Sequence, residues 1–218
     1  MDESKVLLNL AGIKRDIVVI GASAGGVLAL KRLFAALPAS FSAIVGVVLH
    51  RGVRLSQLAS VLGRHSLLPI IEPRDGELVR HGTIYLAPAD HHMLFHNGYI
   101  VLMQDSKENS TRPAIDILFR SAAAEYRQRV VGVLLTGYGE DGGRGMIAIA
   151  EGGGLCVVQD PLEAEIPHMP LNAIRCDVVR GVFAIDDMAA ALGDLARGQQ
   201  ITSRDPKGEE PHASGTKA

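Results

Sequence analysis

The sequence predicts an α/β domain built on a parallel sheet, and three observations support this fold class. Apolar segments rich in β-branched residues alternate with segments of helical period, as they do in chains of βα units. Residues 43–50, AIVGVVLH, are almost continuously apolar, which is typical of a strand buried on both faces. A length of 218 residues with 47% hydrophobic residues is sufficient for one domain with a sizeable core.

The first half of the chain opens with two strand–helix pairs. Residues 16–21, DIVVIG, form the first predicted strand, and a helix from about 26 to 37 follows and ends at Pro38. Residues 43–50 form the second predicted strand, and a helix at 54–64 follows it. This succession predicts two βα units.

Residues 67–104 have a different pattern. Short strand-like segments, among them TIYLAPAD and YIVLMQD, lie next to the turn-forming pairs Asp75-Gly76 and Asn97-Gly98. We therefore expect a small insert of hairpins at the edge of the sheet.

The βα pattern returns in the second half. The segment RPAIDILFRSAAAEYR predicts a helix with Pro113 in its first turn and apolar residues along one face. The remaining predicted elements are a strand at 130–137, a helix at 143–151, a strand at 154–160, a helix near 170–175, a strand at 178–183 and a helix at 185–197.

The two ends of the chain lie outside this pattern. Residues 1–15 precede the first predicted strand as an N-terminal extension, and residues 198–218 are polar, rich in Gly, Pro and Ser, and without a period. The sequence predicts a folded domain at 16–197 followed by a disordered tail.

Composition argues against several classes of function. The formal net charge is only -2, which disfavours binding to nucleic acid or to an anionic membrane surface. No apolar segment reaches the roughly 18 residues of a membrane span, and the N-terminus has no signal-peptide pattern, so we expect a cytoplasmic protein without membrane insertion. Cys156 and Cys176 form no CxxC pair and have no clustered histidine, so we expect no metal and no cofactor.

Polar residues with complementary chemistry stand at the ends of three predicted strands. Ser23 follows the first strand, His50 ends the second, and Asp141 lies in the glycine-rich segment TGYGEDGG after the strand at 130–137. Because ligands bind outside the carboxyl ends of parallel strands, we expect these side chains to share one edge of the sheet.

A serine, a histidine and an acid are the groups that ester or amide hydrolysis requires. A serine hydroxyl is a poor nucleophile until a neutral imidazole removes its proton, and a carboxylate orients that imidazole and stabilises its protonated form. Residues 21–25, GASAG, also satisfy the G-x-S-x-G pattern of a nucleophile elbow. The chain order Ser, His, acid nevertheless differs from the order in α/β-hydrolases.

Other interpretations of these residues remain open from the sequence. A glycine-rich turn between a strand and a helix can be an anion-binding loop, and the string alone does not decide between this and a nucleophile at Ser23. His50 could be a capped surface residue, Asp141 could serve as a turn or cap residue, and Glu140 is a rival acid. Arg112, just before a helix, could bind an acidic group or be a surface charge.

Six segments resemble the catalytic domain of chemotaxis protein-glutamate methylesterases of the CheB type. In chain order they are IGASAGG, VVLHRG, DGELVRHGTIYLAPADHHM, RPAIDILFRSAA, GVLLTGYGEDGGRGM and IPHMPLNAI. The resemblance implies a doubly wound, mostly parallel sheet of about seven strands with helices on both faces, and a methylesterase-like catalytic domain at 16–197. It further implies hydrolysis of glutamate methyl esters on the cytoplasmic helices of chemoreceptors, with deamidation of receptor glutamines as a second activity.

The resemblance also assigns roles to residues. It implies Ser23 as nucleophile, His50 as base and Asp141 as acid, with the backbone N–H of Tyr138 in the oxyanion hole. Arg112 and Arg51 are candidate substrate-binding residues. A shallow site is expected, because the substrate is an exposed protein helix. The protein is also expected to be a monomer.

This chain departs from the family pattern in three places. The family commonly has threonine where Ala24 stands, and LHRG at 49–52 replaces the usual QHMP. Family members generally carry a receiver domain ahead of the catalytic part, whereas only about 15 residues precede the first strand here. We therefore expect a stand-alone catalytic domain. A serine hydrolase with a different ester or amide substrate, and a non-catalytic module that binds an anion or a protein, are the alternatives.

Overall fold

A computed structural model of the chain describes residues 5–8, 12–50 and 57–206, with residues 5–8 described by their backbone. The strands are β1 Lys5–Leu8, β2 Ile17–Ala22, β3 Ile44–Leu49, β4 Ile70–Ile71, β5 Glu77–Leu78, β6 Thr83–Leu86, β7 His92–His96, β8 Tyr99–Met103, β9 Val130–Leu134, β10 Leu155–Gln159, β11 Gly181–Phe183 and β12 Ile201–Arg204. The helices are α1 Gly26–Ala36, α2 Leu58–Gly63, α3 Ile115–Tyr126, α4 Gly143–Glu151, α5 His168–Arg175 and α6 Ile185–Ala196.

The main sheet confirms the predicted fold class. Within the described residues it has nine strands in the order β1-β12-β11-β10-β9-β2-β3-β6-β4. The seven strands from β11 to β4 are parallel, and the pairs β1–β12 and β12–β11 are antiparallel. The predicted parallel sheet is therefore present, extended at one edge by two antiparallel strands.

Helices cover both faces of this sheet, as predicted. The side chains of β2 alternate between two cores: Val18 and Ile20 pack with α1, α2 and α6, whereas Ile17 and Val19 pack with α3 and α4. Burial on both faces explains why β2 and β3 are almost continuously apolar.

The predicted insert is only partly correct. A small sheet, β5-β8-β7, contains the expected hairpin, in which Asn97 and Gly98 have φ angles of 50° and 79°. This pair of positive φ angles is the conformation for which Asn-Gly is preferred in two-residue hairpins. Strands β4 and β6 instead join the main sheet in parallel, because β6 is buried along its whole length.

Two predicted boundaries are wrong, and a third is confirmed in its described part. Helix α3 begins at Ile115, so Pro113 precedes the helix instead of lying in its first turn. The tail predicted to be disordered contains β12, in which the buried Ile201 and Ser203 alternate with more exposed residues. The predicted helix at 54–64 is confirmed at Leu58–Gly63, and its first three residues lie outside the described part of the chain.

No helix within the described residues is long and apolar enough to span a membrane.

Candidate active site

The strand order places the candidate site at the topological switch point of the sheet. From β2 the chain adds β3 and β6 on one side, and it later adds β9 and β10 on the other. The carboxyl end of β2 therefore lies between those of β3 and β9, where ligands bind in open α/β sheets. Ser23, His50 and the segment 135–141 follow these three neighbouring strands.

Ser23 lies in a turn whose tight packing requires glycine. Its N–H donates to Thr136 O at 3.0 Å, and the N–H of Gly26 donates to Ser23 O at 2.9 Å. Gly25, the residue before α1, has a φ of 77°, and a Cβ on it would lie 2.9 Å from the Cβ of Glu165. The two glycines after Ser23 thus let the chain turn sharply from β2 into α1.

The hydroxyl-bearing side chain of Ser23 faces an open cavity. The cavity has a volume of about 560 Å³, and both Ser23 and His50 line it, together with Leu28, Lys31 and Glu165. Within the described residues, the Ser23 hydroxyl has no hydrogen-bond partner. The structure therefore brings the predicted nucleophile and base to one cavity, without a direct hydrogen bond between them.

His50 is held by Asp141. The Nε2 atom of His50 lies 2.7 Å from Oδ2 of Asp141, and the His50 side chain is 13% exposed against 3% for Asp141. Because an ionised carboxylate only accepts hydrogen bonds, Nε2 carries the proton and Nδ1 is left with its lone pair. Glu140, the rival acid in the sequence, is exposed on the surface.

The Asp141 carboxylate accepts four further hydrogen bonds. The N–H groups of Ile115 and Asp116, at the start of α3, donate to it at 2.7 and 3.1 Å. Asn109 Nδ2 donates at 3.0 Å, and Thr111 Oγ1 lies 3.2 Å from Oδ2. Burial alone would raise the pKa of Asp141, but the hydrogen bonds from His50, the backbone and Asn109 outweigh it and hold that pKa below its ordinary value.

The loop after β9 supplies a free backbone donor beside Ser23. The N–H of Gly137 is used, since it donates to Ile166 O at 2.9 Å, whereas within the described residues the N–H of Tyr138 has no acceptor. A Cβ on Gly137 would lie 2.6 Å from the Cβ of Ser23, so this loop passes directly against the serine. The exposed Tyr138 side chain makes an edge contact with the His168 ring.

Of the two candidate substrate-binding arginines, only Arg112 lies within the described residues. Arg112 donates to Asp90 Oδ1 at 2.7 and 2.9 Å and to the carbonyl oxygens of Gln104 and Asp105 at 3.0 and 2.6 Å. These contacts hold the segment before α3, and substrate binding by Arg112 stays a prediction. Arg51 lies outside the described residues.

Sequence reasoning missed the residues that surround Asp141. Asn109 and Thr111 come from a loop without periodicity, so no pattern pointed to them. Asp116 was a weak signal, because it is an acid flanked by apolar residues in a helix that buries Ile115 and Leu118. Glu165 and Lys31, which line the cavity, lie in segments that the sequence motifs do not mark.

His92 and Cys156 both lie in the protein interior. His92 is fully buried, accepts a hydrogen bond from Ala114 N–H at 3.1 Å and donates to Ser106 O at 3.2 Å. Cys156 is buried, and burial raises the pKa of its thiol to about 12. Across the part of the chain that the structure describes, no group of three His, Cys, Asp or Glu side chains could hold a metal ion.

Comparisons with known proteins show which proteins this chain is similar to. A relative from Leptospira interrogans is 36% identical over 176 residues, which are 80% of this chain and 91% of the relative. A relative from Trichodesmium erythraeum, named protein-glutamate methylesterase/protein-glutamine glutaminase, is 39% identical over 87% of this chain and 55% of its own length. One from Pseudomonas aeruginosa with the same name is 37% identical over 84% of this chain and 56% of its own length.

A solved structure and a family model are similar to this chain over most of its length. The crystal structure of the Thermotoga maritima CheB methylesterase catalytic domain superposes with a TM-score of 0.80 and 32% identity, over 84% of this chain and 100% of that one. The family model described as CheB methylesterase matches residues 18–192. The match covers the parallel sheet from the second residue of β2 onward and all the residues that line the cavity. This chain therefore belongs to the CheB methylesterase family.

Proposed function

We propose that this chain is a protein-glutamate methylesterase in which Ser23 is the nucleophile, His50 the base and Asp141 the acid. The observation that carries this proposal is the hydrogen bond between His50 and Asp141 at the cavity that Ser23 lines. Membership of the CheB methylesterase family supports the reaction class.

In the first half of the reaction, the Ser23 oxygen attacks the ester carbonyl carbon and His50 Nδ1 takes the hydroxyl proton. Asp141, bonded to Nε2, keeps the imidazole in the tautomer that leaves Nδ1 free and stabilises the imidazolium. This step requires the Ser23 hydroxyl to reach Nδ1 when substrate binds, and catalytic hydrogen bonds often tighten only at that stage.

The carbonyl oxygen becomes negatively charged in this step. The free N–H of Tyr138 supplies a donor for this oxyanion beside Ser23. One such preorganised donor contributes about 2.7 to 4 kcal/mol to catalysis.

In the second half, the tetrahedral intermediate collapses and His50 gives its proton to the departing methoxide, which leaves as methanol. Water then attacks the acyl-enzyme, with His50 again taking the proton, and the glutamate carboxyl and free Ser23 are regenerated. The same steps on a glutamine side chain release ammonia, which would account for a glutaminase activity like the one in the names of the relatives.

The open site fits a side chain presented by another protein. We expect the substrate to be the methylated cytoplasmic helices of chemoreceptors, and hence a cytoplasmic location. A monomeric enzyme stays a separate expectation. Arg51 remains a candidate for contact with that substrate, since it follows the base His50 directly in the sequence.

Methanol release tests this function. The wild-type chain is incubated with membranes that contain methylated receptor and, separately, with small generic esters, and Ser23→Ala is the matched variant. We expect methanol from the receptor, at a rate several powers of ten lower in the variant. Turnover of generic esters without methanol from any methylated receptor would instead indicate a serine esterase with another substrate.

A further inference from the structure

The triad acid Asp141 has a second buried carboxylate beside it, that of Asp116. Within the described residues, these two are the buried acidic side chains, with 4% and 1% exposure. Asp141 follows β9 and accepts N–H donors at the start of α3, whereas Asp116 belongs to α3 and accepts the N–H groups of Gly142 and Gly145 at 3.0 and 2.7 Å, at the start of α4. Asp141 thus caps α3, the helix that contains Asp116, and Asp116 caps α4, the helix that follows Asp141.

A single side-chain amide joins the two carboxylates. Asn109 Nδ2 lies 2.9 Å from Asp116 Oδ2 and 3.0 Å from Asp141 Oδ1. Because an amide nitrogen carries two hydrogens, it can donate one to each acid. Two carboxylates that share one donor are close enough to repel each other when both are ionised, and the shared amide offsets part of that repulsion.

The loop that carries Asn109 is itself held in place. Asn109 and Ser110 have φ angles of 51° and 64°, and the backbones of Glu108 and Thr111 pair on either side of them. Both carboxylate oxygens of Glu108 accept from Arg120 on α3, at 2.6 and 2.7 Å. Asn109 as a whole is exposed, but its amide contacts Asp141. The turn that carries it is fixed to α3 by the Glu108–Arg120 pair, and α3 is the helix that Asp141 caps.

We propose that Asn109 is a positioning residue of this active site, whose amide holds the Asp141 carboxylate in the orientation that contacts His50. The inference rests on the proposed function for the catalytic importance of Asp141. Asn109 acts through Asp141 and does not touch the reacting atoms.

The surrounding charges set the direction of the expected effect. Within the described residues, Asp116 and the mutually neutralising Glu108 and Arg120 surround Asp141, and Lys31 and Glu165 line the cavity on the side of His50. Burial raises the pKa of Asp116, and the charge of Asp141 adds to that rise. Removing the amide takes a positive dipole end away from Asp141, so the His50–Asp141 pair binds a proton more readily and does so at higher pH.

Three variants separate orientation from simple loop stability. Asn109→Gly removes the amide and keeps a residue that tolerates a positive φ, and Asn109→Asp replaces the donor by a further negative charge. Ser110→Gly is the control, because it introduces the same flexibility in the same turn without removing a donor to Asp141.

For methanol release we expect kcat roughly tenfold lower in Asn109→Gly, by analogy with the loss when a partner that orients a metal ligand is removed. We expect little change in KM, because Asn109 does not touch the substrate. The acidic limb of the pH–rate profile moves to higher pH in Asn109→Gly and further in Asn109→Asp. Ser110→Gly behaves as the wild type. Unchanged kcat and an unchanged acidic limb in Asn109→Gly would overturn the proposal.

A second readout does not depend on the substrate. The NMR titration of the His50 imidazole, assigned with His50→Gln, should have its midpoint at higher pH in Asn109→Gly than in the wild type and Ser110→Gly. Equal midpoints, or loss of folded protein in Asn109→Gly alone, would assign Asn109 a purely structural role and overturn the proposal. A shifted midpoint in a chain that releases no methanol would refute the proposed function and leave this inference standing.

Discussion

Gly137 lies so close to Ser23 that a Cβ on the glycine would be 2.6 Å from the serine Cβ, and it would also clash with the Met169 sulfur. The loop after β9 therefore sets the position of the serine, and its next residue is Tyr138, whose N–H has no acceptor among the described residues. This contact links the packing of the loop to the chemistry of the site, and it can be tested directly.

We expect Gly137→Ala to lower the free energy of unfolding by roughly 1–3 kcal/mol, because an added methyl group overpacks the site. We also expect a loss of activity larger than the loss of folded protein, since Ser23 must shift. Gly63→Ala is the control, because a Cβ there meets no atom within 4 Å. Chemical denaturation and methanol release measure the two effects, and wild-type activity in the Gly137→Ala chain would contradict the account.

Asp141→Asn should reduce kcat by about 10³- to 10⁴-fold. An amide in place of the carboxylate presents an N–H₂ group either to His50 or to Asn109 and the backbone N–H of Asp116. In the first case Nε2 of His50 must accept, so the imidazole changes tautomer and Nδ1 loses its lone pair. In the second case the new N–H₂ group opposes the N–H donors of Asn109 and Asp116, which lose their acceptor. Steady-state methanol release measures the loss, with the exposed Glu140→Gln as control. A comparable loss in the Glu140 variant would show that the acid was misassigned.

The same variant has a pH-dependent effect on stability. Because the pKa of Asp141 is lowered in the folded chain, its ionised form stabilises the fold above the unfolded pKa of about 3.9, and this stabilisation is lost as pH falls through the folded value. The difference in unfolding free energy between wild type and Asp141→Asn should be constant from about pH 7 to pH 5 and shrink below about pH 4. Urea unfolding across this range measures it, and a difference that grows on acidification would contradict the assigned sign.

Arg112 should affect stability without affecting substrate binding. Arg112→Met removes the ion pair with Asp90 and the bonds to two carbonyl oxygens, so we expect a lower melting temperature and an unchanged KM. Asp90→Asn weakens the same ion pair and leaves the carbonyl contacts, so its thermal effect should be smaller. A KM that rises severalfold in Arg112→Met alone, at wild-type stability, would support substrate binding instead.

The parallel sheet and the convergence of its strand ends were predictable from sequence. Strands β2, β3 and β9 are buried on both faces, so their apolar runs are unambiguous, and His50 and the Asp141 loop follow them directly. Sheet geometry then brings their carboxyl ends together without any knowledge of the loops.

The support around Asp141 was not predictable, because it depends on side chains from a loop without periodicity. Asn109 contacts Asp141 across 32 positions of sequence, and only the fold brings them together. Strand β12 was missed because its buried position Ser203 is polar, which conceals the alternation that marks a strand. Its backbone pairs with β1 and β11, so partners distant in sequence determine this strand.

The most direct test of the account is to label the purified chain with a serine-directed fluorophosphonate and map the adduct by mass spectrometry. We expect a single adduct on the peptide that contains Ser23, absent from Ser23→Ala and strongly reduced in His50→Gln. Labelling at another serine, or labelling that survives in Ser23→Ala, would contradict the assignment of Ser23 as nucleophile.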